Sequence, residues 1–229
     1  MFQVDEYLQD LIVSMKGVFG ERLLYVGLQG SYLREEATET SDIDIMIVIK
    51  DLSRRDMDLY REIILGMPDY KKSCGFICGM DELSGWNPLE LCHLVHTTKD
   101  YYGNLSVLIS KYRDQDVLNY IKVSVGNLYH ELCHRYIHAD RMKNHQRLPM
   151  TYKGVFFILQ NLYYLKTGIF YTTKKGLLEI LEERDKEIME ISLCIASDEE
   201  YDFDRAFDTL FSWCKRTLSE LQLLENTRS

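Results

Sequence analysis

Proline is scarce in this chain, three residues in 229, and no stretch is compositionally simple or repeated. With 46% hydrophobic and 28% charged residues, this excludes a disordered or linker-like chain and leaves an ordinary packed protein. No run approaches 18 uninterrupted apolar residues, so no membrane partner is expected. The opening residues, MFQVDEYLQDL, are acidic and lack the basic region and apolar core of a secretion signal, which points to a cytoplasmic location. The six cysteines form no CxxC pair, and Cys74 and Cys78, within CGFIC, read as reduced strand residues rather than ligands. Basic charge is also in deficit. A net charge of −9 argues against unaided binding to long nucleic acid, whose phosphates need Lys and Arg, and favours a small or cationic substrate.

The patterns that remain fall into two textures. Val4, Leu8, Leu11, Ile12 and Met15 share one helical face over residues 3–17. LLYVGLQ, bounded by glycines, reads as a buried strand; DIDIMIVIK is a second strand and SCGFICGM a third. SRRDMDLYREIILG is an amphipathic helix stopped by Gly66 and Pro68. LELCHLVHTTKDYYGN fits either a helix or a strand with a turn. From about residue 113 four long helical patterns follow: DVLNYIKVSVGNLYHELCHRYIHADRMKNH, YKGVFFILQNLYYLKTG, KKGLLEILEERDKEIMEI and DRAFDTLFSWCKRTLSELQLL. The expectation is an α+β fold: an antiparallel or mixed sheet with flanking helices over 1–110, and an all-α helical bundle over 111–229.

The chemistry concentrates in GSYLREEATETSDIDIMIV, residues 30–48. Side chains alternate along a strand, so Asp42 and Asp44 share a face with Met46 and Val48, roughly 7 Å apart at Cα. Ile43, Ile45, Ile47 and Ile49 form the other face. Two carboxylates this close repel, so one should hold a proton unless a cation neutralises them. Hard ions such as Mg²⁺ take such oxygens and complete their shell with phosphate and water. Gly30 and Ser31 follow a strand and open a short helix, where free N–H groups and a hydroxyl can hold a phosphate.

This run resembles the signature of the DNA polymerase beta-like nucleotidyltransferase superfamily: apolar strand, Gly-Ser, about ten residues, then Asp-apolar-Asp-apolar. Arg34 and Ala37 within the connection and Ser41 before Asp42 also match, and TTKDYYGN is similar to a later segment of the same domain. LQNLYYLKTGIFYTTKKGLLEIL is similar to the helix-turn-helix of aminoglycoside nucleotidyltransferases, with Lys174 or Lys175 in place of a lysine that approaches the triphosphate and Gln160 where an arginine is frequent. The resemblance implies Mg²⁺-dependent transfer of a nucleoside monophosphate from a nucleoside triphosphate, ATP by preference, to a hydroxyl of a small-molecule acceptor, with an aminoglycoside-like compound among the candidates. Asp42 and Asp44 would hold the metal, and Gly30, Ser31 and Arg34, with Lys174 and Lys175, the nucleotide.

The superfamily usually supplies a third carboxylate from a later strand, and SCGFICGM has none. Asp69 precedes it and Asp81 and Glu82 follow it. Either an end carboxylate substitutes, or the helical half supplies one, with Glu131 as acceptor base, or the chain is a catalytically impaired nucleotide-binding module of toxin-antitoxin type. Arg141 and His145 are similar to the Arg and His of helical HEPN ribonuclease toxins, one residue closer than their usual minimum. HELCH, residues 130–134, matches the HExxH form of zinc hydrolases, with His130 and His134 as ligands and Glu131 as base, and His138 one turn further on. That reading leaves the two aspartates unexplained and is the remote alternative. The acceptor, the base preference and the oligomeric state stay open.

Overall fold

The computed structural model describes residues 2–197 and 200–228. The chain divides into two compact units, Met1–Tyr112 and Arg113–Ser229.

The first unit contains α1 (Val4–Phe19), β1 (Leu23–Leu28), α2 (Gly30–Leu33), β2 (Ile43–Ile49), α3 (Arg54–Gly66), β3 (Ser73–Gly79), α4 (Met80–Ser84), α5 (Pro88–His96) and β4 (Lys99–Tyr102). The ambiguous stretch after Pro88 is thus a helix followed by a strand. The sheet is mixed, in the order β3-β2-β1-β4: β1 runs antiparallel to β2 and to β4, and β2 runs parallel to β3.

β2 is the spine of this unit, and its alternation is the expected one. Ile43, Ile45, Ile47 and Ile49 are buried in a cluster with Leu8, Leu11 and Met15 of α1, and Leu59 and Ile63 of α3 pack against it. Burying four such side chains stabilises the fold by roughly 6–12 kcal/mol before the entropy of ordering is counted. Met46 and Val48, on the opposite face, join a second cluster with Tyr25, Cys78, Leu83 and Leu105. α3 starts from a capping box between Ser53 and Asp56, and the buried Asp56 accepts two hydrogen bonds from Arg22, at 2.6 and 3.1 Å. That pair ties the helix to the turn that launches β1.

Among its described residues the second unit has five helices where the sequence pattern suggests four: α6 (Asp114–His138), α7 (Arg141–Thr167), α8 (Lys174–Ile180), α9 (Glu183–Ala196) and α10 (Phe203–Arg228). The expected helix through His145 breaks at Ala139, which is extended, because the Asp140 carboxylate accepts from the Lys143 N–H and caps a new helix. KKGLLEILEERDKEIMEI breaks likewise at the extended Leu181 and Glu182. Pro149 lies inside α7 and has no N–H for the carbonyl of His145 four residues back. The Tyr201 hydroxyl supplies that hydrogen bond at 3.3 Å, and the His145 ring stacks on those of Tyr201 and Phe203. No described helix is long and apolar enough to cross a membrane.

Candidate functional site

The site is built where β1 ends and β2 begins. The Gln29 N–H donates to the Asp44 carbonyl at 2.8 Å, so the chain leaves β1 still paired to β2. Gly30 follows in a left-handed conformation, φ +69°, and opens α2. A Cβ at Gly30 would lie 1.8 Å from Asp44 Oδ2, so only glycine lets this turn and the aspartate occupy the space together. The connection returns through residues 34–41, held by the Thr38 N–H to Ser41 Oγ hydrogen bond at 2.9 Å and by Lys72, whose ammonium donates to the Glu39 and Ser41 carbonyls. Asp42 is thereby placed just ahead of the first residue of β2.

Asp42 is exposed and Asp44 half-buried. Burial, first, and the neighbouring Asp42 charge, second, push the Asp44 carboxyl above the ordinary carboxylate range, while Arg34 opposes both. The two carboxylates therefore repel each other, as their spacing predicts. Arg34 is itself ion-paired with Glu36 at 3.0 Å.

The third member of the cluster is a cysteine. In the parallel ladder Cys74 stands opposite Asp44, and ligand atoms of Asp42, Asp44 and Cys74 all lie within 4.8 Å of one another. Among the described residues this is the one group of three or more His, Cys, Asp or Glu with metal-holding geometry. Burial pushes the Cys74 thiol up, as do both carboxylates, against a lowering contribution from the Gly75 backbone. Cys74 is a strand residue, as the sequence suggests, and in addition it faces the acidic pair. Periodicity assigns Cys74 to a strand but cannot give the register, and the register is what sets it beside Asp44. Neighbouring Gly75, φ +136°, allows the approach, since a Cβ there would meet the Ile45 carbonyl oxygen at 2.0 Å.

The carboxylates near the ends of β3 do not join this group. Asp81 and Glu82 lie in α4, beyond the end of a strand whose start is at Ser73, roughly 20 Å away by strand rise. Asp69 adopts a left-handed conformation before β3 and is absent from the cluster. Two carboxylates and a thiol converging at the mouth of an apolar strand pair are a donor set that fits a divalent cation.

A second feature missed by sequence reasoning is His93 on α5. Burial, and then the nearby Arg34 and His96, push its imidazole down to about 4, so it is neutral beside the site at physiological pH. Its signal in the sequence, a histidine in a stretch of undecided structure, did not distinguish it.

The other residues singled out from the sequence belong to the second unit. Glu131 is ion-paired with Arg135 and accepts a hydrogen bond from Thr151 at 3.3 Å. His130, His134 and His138 form an exposed row on α6, with adjacent rings 6.0 and 4.8 Å apart, and among the described residues no carboxylate joins them in a metal-holding group. Arg141 pairs with Asp204 at 2.8 Å. Lys174 and Lys175 open α8 behind the Thr173 cap. Gln160 is buried, and its Nε2 donates to the carbonyls of Tyr171 and Thr172 at 2.6 and 3.3 Å, fixing the loop that delivers those lysines.

Residues 20–83 match the nucleotidyltransferase domain family model. A protein of Methanocaldococcus jannaschii with the provisional name protein adenylyltransferase is 38% identical over 65 residues, which are 27% of this chain and 42% of the relative. The chain thus matches less than half the length of that relative. A similar fold is seen in the crystal structure of the spectinomycin adenyltransferase AAD(9) from Enterococcus faecialis with ATP and spectinomycin: TM-score 0.54 and 14% identity, over 93% of this chain and 98% of that one. Its likeness extends through the helical half. The chain therefore carries a nucleotidyltransferase domain of the superfamily that its Gly-Ser and Asp-Ile-Asp spacing resembles.

Proposed function

We propose that the chain transfers a nucleoside monophosphate, adenylate by preference, from a nucleoside triphosphate to a hydroxyl of a small molecule. The observation that carries this is the seating of Asp44 against Gly30, which brings a metal-binding carboxylate and a phosphate-binding turn to one end of β2 within the matched domain.

Asp42 and Asp44 would hold a divalent ion, Mg²⁺ being the one that two hard carboxylates alone suit. Such an ion, when bound, neutralises the phosphates and the departing pyrophosphate. The Gly30 and Ser31 N–H groups, with the Ser31 hydroxyl, hold the terminal phosphates, and Arg34 adds positive charge beside them. Binding in this manner leaves the α-phosphorus open to in-line attack by the acceptor oxygen; a new P–O bond forms, the bond to pyrophosphate breaks, and the hydroxyl proton passes to a base. Glu131 is the candidate base in the second unit, and Lys174 and Lys175 are candidates for the triphosphate. The Arg135 partner of Glu131 would have to give way for that role.

The small-molecule acceptor is supported by the adenyltransferase that shares the fold across both units, since its structure holds ATP and spectinomycin. The match to the protein adenylyltransferase covers only 27% of this chain and carries less weight for the acceptor. Pyrophosphate release is measured with ATP against aminocyclitols, aminoglycosides and a hydroxyl-bearing protein. Release that needs a small acceptor and is lost in Asp44→Asn supports the proposal. Triphosphate binding with no release for any acceptor favours the impaired regulatory module, and release with protein alone overturns the small-molecule assignment.

A further inference from the structure

β2 and β3 place like beside like along their parallel pairing: Asp44 opposite Cys74, Met46 opposite Phe76, Val48 opposite Cys78. The last two pairs contribute to one apolar cluster, and Cys78 is buried there. Cys74, four residues earlier on the same face, is exposed and reaches the acidic pair. The two cysteines of CGFIC thus do different things: one packs, the other faces the site.

We infer that Cys74 is the third protein ligand of the metal site formed by Asp42 and Asp44, and that the site consequently takes a thiophilic divalent ion of the zinc class in preference to Mg²⁺. The inference rests on the metal-binding part of the proposed function and adds the identity of the ion. Mg²⁺ prefers an octahedron of oxygens and gains little from sulfur, whereas Zn²⁺ accepts carboxylate and thiolate together. In a tetrahedral site with ordinary zinc bond lengths, the ligand atoms stand roughly 3.4–3.6 Å apart. Those of Asp42, Asp44 and Cys74 lie within 4.8 Å, so small side-chain rotations would close the set. Three protein ligands leave the fourth position for water or a phosphate oxygen, the arrangement of catalytic zinc sites. Ligation replaces the thiol proton, which is released to solvent.

The test is an optical titration of the metal-free full chain with Co²⁺, a spectroscopic stand-in for zinc. The wild-type protein is expected to develop a thiolate-to-cobalt charge-transfer band, removed by competing Zn²⁺. Cys74→Ser should lose that band and weaken zinc binding by about 10–100-fold. Cys74→Asp should shift the preference back toward Mg²⁺. A measurement without variants accompanies these: alkylation of Cys74, followed by mass spectrometry of its peptide, should be slowed by Zn²⁺ and left unchanged by Mg²⁺. Cobalt bound without a charge-transfer band, a band that survives Cys74→Ser, or alkylation unprotected by zinc overturns the role of Cys74 while leaving the two aspartates as a metal site. If calorimetry finds neither cobalt nor magnesium bound, with or without triphosphate, the metal-binding reading fails together with this one.

Discussion

Gly30→Ala separates the shape of the site from its chemistry, because glycine contributes no ligand. Two costs follow from the geometry. The backbone at φ +69° lies in the left-handed region, where a non-glycine residue loses about 1–2 kcal/mol. The added Cβ would lie 1.8 Å from Asp44 Oδ2, 2.7 Å from its Cγ and 3.0 Å from its Cβ, so the carboxylate must turn aside. Forcing a side chain off its rotamer adds about 0.5–1.5 kcal/mol. The variant should therefore fold, with a loss of about 1.5–3.5 kcal/mol by these two contributions. The displaced carboxylate should weaken divalent-metal affinity by about 10–100-fold, as loss of a supporting group does. Urea denaturation followed through Trp86, which packs edge-on against Phe76 of β3, reads the stability of this unit. Calorimetry with metal and a non-hydrolysable triphosphate reads the site. Gly66→Ala is the control, since nothing lies within 4 Å of a Cβ there, and it should leave binding unchanged. Metal and triphosphate affinity in Gly30→Ala equal to wild type would refute the idea that Gly30 sets the position of Asp44.

Asp44→Asn should abolish metal-dependent triphosphate binding, yet raise the melting temperature of the metal-free protein near neutral pH. The Asp44 pKa is raised in the folded state, so the native form holds the proton more tightly and ionisation costs stability above the ordinary carboxylate range; the gain should vanish below about pH 3.9, and an unchanged melting temperature at pH 7 would count against it. Asp56→Asn should lose about 2–3 kcal/mol at neutral pH, because Arg22 and Ser53 hold this buried carboxylate well below the usual range. Here the sign is opposite: the stabilisation is complete above the unfolded carboxylate value and disappears as pH falls through the folded one, so wild type and variant should converge in strong acid. Half-exposed Arg22 keeps the effect at the lower end of buried pairs. Gln160→Leu should strip the donor from the Tyr171 and Thr172 carbonyls and cost about 1–3 kcal/mol; amide exchange over residues 169–176 should accelerate, and unchanged protection would show that the loop is held otherwise.

Much of the first unit was legible because its signals are local. The isoleucines of β2 alternate with Asp44, Met46 and Val48, and that alternation alone assigns each side chain to its cluster. Ser53 and Gly66 bracket α3 by cap and stop chemistry. The unread parts depend on pairing or on distant partners. Cys74 needed the β2–β3 register. Pro149 reads as a helix breaker until Tyr201, far along the chain, satisfies the carbonyl it leaves open. The break at Ala139 was present in the sequence as Asp140, a good cap, but the apolar pattern runs straight through it. Glu131 has the chemistry of a base, and its partners Arg135 and Thr151 appear only in three dimensions.

The strand pairing also implies an order of assembly. β1 and β2 are neighbours in sequence and pair antiparallel across residues 29–42, a local closure, whereas β3 must wait for α3 to cross over before it can lie parallel to β2. The two carboxylates can therefore meet while the chain is half folded, and the sulfur arrives last. Amide protection during refolding should reach the β1–β2 ladder before the β2–β3 ladder. Until that second step the acidic pair stands without the sulfur, and the set of Asp42, Asp44 and Cys74 is complete only when β3 docks.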